Sequence, residues 1–272
     1  MISAVVLTYN EENILYRCLN ALSFVDEIIV FDSFSTDATL SIARSMGAHV
    51  IQRKFDNYAN QRNAALASVN PNSSWILMVD ADEIVEENLR IEIETIVKSE
   101  SKNTLYVVRR KDYFLGKWLR YAGFYPTWIP RLFRAGEVRV QRSINEEYVT
   151  NGPIGTLSNH LVHYPFNKGV QFWYEKHLRY AQMEAQLLFE DSPGLVPMMR
   201  NLFSKSKLER RKGIKKLSFY IPLRWLFIWI YLFIFKLGFL DGKRGLLFIS
   251  MRVTYEKMIV DIKKSFVYRE ND

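Results

Sequence analysis

Cysteine is almost absent. Cys18 is the only one in 272 residues, which excludes an intramolecular disulfide and fits a reducing compartment. The opening MISAVVLTYNEEN lacks a basic segment and its apolar run ends within a few residues, so no cleaved secretory signal is expected. Internal repeats and low-complexity tracts are missing, which excludes a repeat architecture. No uninterrupted apolar run reaches the ~20 residues that a spanning helix needs, and the almost entirely apolar Phe219–Leu240 is borderline. The most apolar stretch, Trp225–Phe235, has eleven residues between Arg224 and Lys236. Acids are outnumbered: 29 Asp and Glu face 37 Lys and Arg, a net charge of +8. That balance points to an acidic partner such as nucleic acid, anionic lipid or a phosphorylated substrate.

What is present is apolar material in quantity, 49% of residues, enough for the core of one large α/β domain with an appendage. Ile2–Thr8 reads as a buried parallel strand, β-branched and unbroken. A helical spacing follows over Glu11–Leu22, then a strand at Glu27–Phe31, a helix at Thr36–Met46 ending on Gly47, and a strand at His49–Gln52. Tyr58–Ala67 is helical and Trp75–Val79 is a fourth strand. Strands alternating with helices indicate βαβ units, whose ligands gather at the carboxyl ends of the strands. Tyr106–Arg110, Pro130–Phe133 and Val138–Val140 read as short strands among aromatic loops, and Phe172–Phe189 as a helix. The predicted domains are therefore 1–190, in two halves at 1–100 and 101–190, and a helical region at 191–272.

Polar residues concentrate where the strands end. Val79-Asp80-Ala81-Asp82-Glu83 puts two carboxylates at i and i+2 after an apolar strand. Such a pair can point the same way and hold a hard divalent cation. An acidic helix N-terminus is the plainer use of the same residues. The first strand ends in Thr8-Tyr9-Asn10-Glu11 and the second in Asp32-Ser33-Phe34-Ser35-Thr36-Asp37. These groups offer carboxylates for ribose hydroxyls and an aromatic ring to stack, or, with Asn10 and Ser35, helix caps. Arg62 in Gln61-Arg62-Asn63 could meet a phosphate or lie on a solvated helix face.

This ordered set resembles the family 2 glycosyltransferases of GT-A fold, most of all the lipopolysaccharide-core β-glucosyltransferase-like branch. The matching elements are VVLTYNEE, DSFSTD, QRN, VDADE, PRLFR, the helix from Lys176 to Ala185 and LGFLDGKRG at 237–245. The resemblance implies an inverting, metal-dependent hexosyltransferase using a nucleotide sugar, expected to be UDP-linked, with manganese or magnesium. It implies that Thr8, Tyr9, Glu11 and Asp32 surround base and ribose and that Arg62 lies near the diphosphate. Asp80 would sit by the ribose or metal, and Asp82 would bind the metal. His163 would complete the metal site, its plainer reading being a core-edge histidine. Arg131 would fix a donor phosphate or shape the acceptor site. Inversion needs a base for the acceptor hydroxyl. Where similar enzymes carry a His-Glu pair, this chain has Asn145-Glu146 followed by Glu147. Glu146 is the first choice and Glu147 the second.

Residues 200–216 carry eight basic side chains against Glu209, and the apolar Phe219–Leu240 follows. Trp and Tyr beside a polybasic run suit a headgroup region, so an interfacial or re-entrant helix on an anionic membrane is expected. A core helix or a homo-oligomer interface is the alternative. Nucleic acid is not expected, because few aromatic platforms interleave the basic run. The expected acceptor is a membrane glycolipid, a lipopolysaccharide core or lipid-linked oligosaccharide. The expected location is the cytoplasmic face of the inner membrane, peripheral or monotopic. A nonenzymatic scaffold on the same fold is the third reading; Asp80, Asp82 and Glu146 stand against it.

Overall fold

Apolar, β-branched runs become strands where the sequence reading put them. β1 (Ile2–Thr8), β2 (Glu27–Asp32), β3 (His49–Gln52) and β4 (Trp75–Asp80) pair in the order β3-β2-β1-β4, all parallel. The structure is a computed structural model. It describes residues 1–123, 125–142, 146–190, 210, 213–214, 217–219 and 221–271, without the side chains of 190 and 267–271. Asn145 and almost all of the basic run 200–216 lie outside the described residues.

Beyond β4 the sheet becomes mixed. β5 (Glu83–Val85), β6 (Leu105–Phe114), β7 (Lys117–Trp118), β8 (Thr127–Arg134) and β11 (Ile154–His163) complete a nine-stranded sheet. Its path continues β4-β8-β6-β11-β5, with β7 paired to β6. β6 and β11 are parallel, whereas β8 enters antiparallel to both its neighbours. A bulge where Tyr106 and Val107 face Leu132 and Pro130 leaves Arg131 as the extra residue of β8. β9 (Arg139–Gln141) and β10 (Glu147–Val149) form a separate antiparallel pair.

Alternation along the strands builds a core on each face of the sheet. On one face Ala4, Val6, Val30, Leu77, Val79, Tyr106 and Leu132 pack with Leu15 of α1 (Leu15–Asn20) and with Leu89 and Ile93 of α4 (Glu87–Lys98). Ala43 of α2 (Thr39–Ser45) joins them. On the other, Val5, Phe31, Met78, Leu105 and Phe133 pack with Ala65 of α3 (Tyr58–Ala67). α1 and α2 are shorter than their periodicity suggests. Asn10 and Ser35 do not cap them: neither helix has a side-chain cap, because those side chains bind each other's loops instead.

By internal packing the chain divides into two units, Met1–Trp118 with Phe124–Gly169, and Leu119–Gly123 with Val170–Asp272. Helix α5 (Gly169–Glu190) thus groups with the C-terminal helices rather than with the sheet, so the first unit ends at 169 and not at 190. In this second unit α6 (Arg224–Ile230) runs into a π turn at Tyr231–Phe235, then a 3-10 turn at Gly238–Asp241, then α7 (Gly242–Asn271). Leu232, Ile249, Val253 and Ala122 form its small core. The LGFLDGKRG motif is explained here. A Cβ on Gly245 would lie 2.4 Å from the Gly238 carbonyl oxygen, and Gly242 has φ +66°. Buried Asp241 accepts backbone N–H bonds from Arg120 (3.3 Å), Tyr121 (2.9 Å) and Ala122 (2.8 Å). Phe227, Tyr231, Ile234, Phe235, Phe239 and Leu240 are exposed, Phe235 by 73%. Among the described residues no single helix is long and apolar enough to cross a membrane; the segments Arg224–Phe235 and Gly238–Phe266 bend by 72° at their junction.

Candidate active site

The loops after β1 and β2 are stitched together. Asn10, at φ +54°, accepts the Thr36 N–H at 2.7 Å, and its own N–H donates to the Ser35 hydroxyl at 2.8 Å. Asp37 accepts the N–H of Glu12, which in turn accepts that of Ala38. Asp32 is fully buried and accepts from the Thr8 hydroxyl (2.9 Å), the Ser35 N–H (2.8 Å) and hydroxyl, and Gln52 (3.1 Å). Its carboxylate fixes the loop geometry, and it reaches a nucleoside only by exchanging one of these partners. The rings left open to solvent are Tyr9 and Phe34, each about half exposed. Glu11 is paired with Lys168 at 2.6 Å and accepts from Asn167 at 2.7 Å. Burial and the charge of Asp82 push the Glu11 carboxyl up, with Lys168 pulling the other way.

Each residue of Gln61-Arg62-Asn63 has its own partner. Gln61 donates to Ser33 and accepts from Arg53. Asn63 exchanges two 2.8 Å bonds with the backbone of Val140, tying β9 to α3. Arg62 is buried, with Nη2 3.0 Å from Asp80 and Nε 3.2 Å from Glu146. A lone buried guanidinium would be costly, but two carboxylates compensate it. Asp80 has a second cation, Arg131, at 2.8 Å. Arg131 is itself buried and forked onto Glu83 by two 2.8 Å bonds, while Glu83 also accepts the Asp80 N–H at 3.0 Å. The guanidinium of Arg131 is thus engaged in orienting Asp80. Glu147, on β10, is exposed.

On the far side of Ala81, Asp82 lies 3.3 Å from Nε2 of His163, whose Nδ1 is 2.7 Å from Asp112. Arg110 holds the same Asp112 oxygen at 2.8 Å. Burial and Arg110 oppose a proton on His163, but Asp82 and Asp112 outweigh them and push the imidazole up to about 9. Among the described residues no three His, Cys, Asp or Glu side chains converge on one point. The donor chemistry nevertheless fits a divalent cation. A carboxylate and an imidazole nitrogen face each other, a second carboxylate orients the ring from its other nitrogen, and the remaining positions would stay open for phosphate oxygens.

The structure therefore gathers Arg62, Asp80, Arg131 and Glu146 into one ion-pair chain, Asp82 with His163 into a second cluster, and Thr8 with Asp32 into a third. Glu11, with Lys168, couples electrostatically to Asp82. Sequence reasoning passed over Lys168, Glu83 and Asp112. Glu83 adjoins the acid pair and signals itself by position. Lys168 and Asp112 have only tertiary signals of a site, since Glu11 and His163 lie more than 50 residues from them.

The model of "Glycosyl transferase family 2" matches residues 3–153, more than half of the chain. The chain belongs to glycosyl transferase family 2. Among family relatives, it is similar to the lipopolysaccharide core biosynthesis glycosyltransferase LpsC of Rhizobium meliloti. The two are 26% identical over 176 residues, 60% of this chain and 63% of that protein. An uncharacterized glycosyltransferase of Rickettsia felis is 42% identical over 104 residues, 38% of this chain and 36% of that protein. The chain spans about a third of the length of the Rickettsia relatives it matches. Among solved structures, S. aureus TarS 1-349 aligns with 100% of this chain and 92% of its own at 17% identity and a TM-score of 0.44. Glucosyl-3-phosphoglycerate synthase from Mycobacterium tuberculosis, solved with Mn2+ and UDP, reaches 0.35 at 23% identity over 42% of this chain and 44% of its own. Both scores lie below 0.5. As a family 2 member the chain has the α/β architecture that its motifs imply.

Proposed function

We propose that this family 2 protein transfers a sugar, with inversion, from a nucleotide sugar to a glycolipid acceptor at an anionic membrane surface. The observation that carries the reading is Arg62. One buried guanidinium touches Asp80, at the end of β4, and Glu146, the expected base. A diphosphate approaching Asp80 and a hydroxyl approaching Glu146 would then meet over the same side chain. In a single displacement the acceptor oxygen bonds the anomeric carbon as the bond to the diphosphate breaks, and the hydroxyl proton passes to the Glu146 carboxylate. Arg62 holds that carboxylate in place; exposed Glu147 has no such support. Tyr9 and Phe34 supply rings for the base, and Thr8 and Asp32 shape the floor beneath them. Asp82 and His163 would hold manganese or magnesium, which when bound would offset the charge of the leaving diphosphate.

The membrane part of the reading is supported by the exposed apolar residues from Phe227 to Leu240 and by the excess of basic residues. A bent pair of segments, the first apolar throughout after Arg224, suits lying in one leaflet better than spanning. Cys18, free and buried, agrees with the cytoplasmic face. Calorimetric titration with UDP, GDP and CDP, with and without manganese, tests the donor site. Metal-dependent binding of one nucleotide, lost in Asp82→Ala, is expected. Binding that ignores both metal and Asp82 would remove the metal role, and no binding at all would remove the transferase reading.

A further inference from the structure

One cationic and aromatic cluster in the first unit is not used by the donor reading. Arg109, Trp128 and His160 stand in register across β6, β8 and β11. The Arg109 guanidinium lies 5.4 Å from the Trp128 ring and bonds the Ser158 carbonyl. Two residues on, Lys111 is 5.1 Å from the Trp118 ring. Tyr125 meets Trp118 edge-on at 5.1 Å, and its hydroxyl is 2.7 Å from Nε2 of His160. Neither Arg109 nor Lys111 has a carboxylate partner among the described residues, and Nε of Arg109 is buried without a hydrogen-bond acceptor. Burial, with the charges of Lys111 and Arg109, holds the His160 imidazole below its ordinary range.

A buried guanidinium nitrogen without an acceptor is costly, and two uncompensated cations side by side repel each other. Both costs fall when an anion enters. Cation–π contacts leave the N–H edges of each cation available to it, and the exposed face of Trp128 offers a flat apolar surface of the kind that stacks against a sugar ring. Alternation puts Arg109 and Lys111 on the same sheet face as Leu105 and Val107. That face packs against Phe133 and Tyr148, and Tyr148 shares Met78 with Arg62. Trp128 of the cluster also shares β8 with Arg131, the residue that holds Asp80. Trp128 and Arg131 are three residues apart on β8, about 10 Å, a spacing that suits a sugar other than the one being extended.

We propose that Arg109, Lys111, Trp118, Trp128 and His160 form a subsite for an anionic sugar of the acceptor, a saccharide ring bearing a phosphate or a carboxylate. This rests on the transferase reading above and narrows its acceptor to a charged glycan. The test is titration of the full chain, in saturating UDP, with glucose 6-phosphate, glucuronate, glucose and inorganic phosphate. At least one charged sugar should bind roughly tenfold or more tightly than glucose and than phosphate alone. The better of the two tells phosphate from carboxylate. Arg109→Gln with Lys111→Gln should weaken that binding by about ten- to a hundredfold and leave UDP binding unchanged; Trp128→Ala should weaken both charged sugars together. Equal binding of glucose, equal binding of bare phosphate, unaltered affinity in the double variant, or no saturable binding of either charged sugar would each overturn the subsite. Loss of UDP binding in the unaltered protein would strike the donor reading instead, and the two failures read out separately.

Discussion

Replacing Glu83 by Gln removes one charge and almost no volume. Its side chain is fully buried, its two oxygens each accept a 2.8 Å bond from Arg131, and one also accepts the Asp80 N–H. The neutral amide turns one acceptor into a donor facing the guanidinium. Arg131, itself 6% exposed, keeps only Asp80 as a charged partner, which is 30% exposed. Breaking a buried pair from one side costs about 3–5 kcal/mol, and the surviving Asp80 contact places this case near the lower end. For a chain of this size that corresponds to a fall in Tm of about 6–12 °C. Asp80 shares Arg131 with Glu83, so UDP affinity should fall with stability. Differential scanning calorimetry of Glu83→Gln, Arg131→Met and the double variant measures both the loss and its coupling. The double variant should be less destabilised than the two single losses added together, because it leaves no buried charge alone. A Tm within about 2 °C of the parent for Glu83→Gln, or strict additivity in the cycle, would refute the reasoning.

Asp241→Ala strips three backbone N–H groups of their acceptor and should cost about 3 kcal/mol or more, read as a lower urea midpoint with little change in slope. His177 stacks on Trp173 at 3.6 Å and donates from Nδ1 to the Trp173 carbonyl; burial above all lowers it from 6.5 to about 4. The folded chain keeps this ring neutral where the unfolded chain protonates it. Stability should therefore be unaffected above pH 6.5 and fall between 6.5 and about 4, by on the order of 2 kcal/mol after allowance for partial exposure. A His177→Phe variant should flatten that part of the pH–Tm curve. Phe227→Glu with Phe235→Glu should reduce co-sedimentation with phosphatidylglycerol vesicles several-fold while leaving UDP binding intact; unchanged sedimentation would dismiss the exposed apolar face as the contact.

The parallel half of the sheet was readable because its strands are short unbroken apolar runs between helices of clear period. Ile2–Thr8 and His49–Gln52 matched to the residue. The acceptor half was read only in pieces. Leu105–Phe114 carries Arg109, Arg110, Lys111 and Asp112 in a row, charges that look like a loop until each is seen to have its own surroundings on one face or the other. The helix after β1 was read too long because Glu11 has helical spacing but serves the loop, bound by Asn167 and Lys168. Arg62 was legible as a residue of interest from its motif. Its partner Glu146, 84 residues away, was reached through resemblance rather than spacing. Arg131 was read as fixing a donor phosphate or shaping the acceptor site; its contact to Glu83, 48 residues distant, and the bulge in β8 leave no local trace.

Leu119–Gly123 packs with the C-terminal helices while the chain on both sides of it packs with the sheet. The backbone therefore passes from one unit to the other three times, at 118–119, at 123–124 and again at 169–170. No single cut in the gene separates the two. A fragment ending near Gly169 would still contain Arg120, Tyr121 and Ala122, now without the carboxylate that binds their amides. Recombination between relatives at that point would import the same mismatch. The five-residue excursion makes the sheet and the terminal helices a single heritable module, and chimaeras of this protein need to exchange Leu119–Gly123 and Asp241 together.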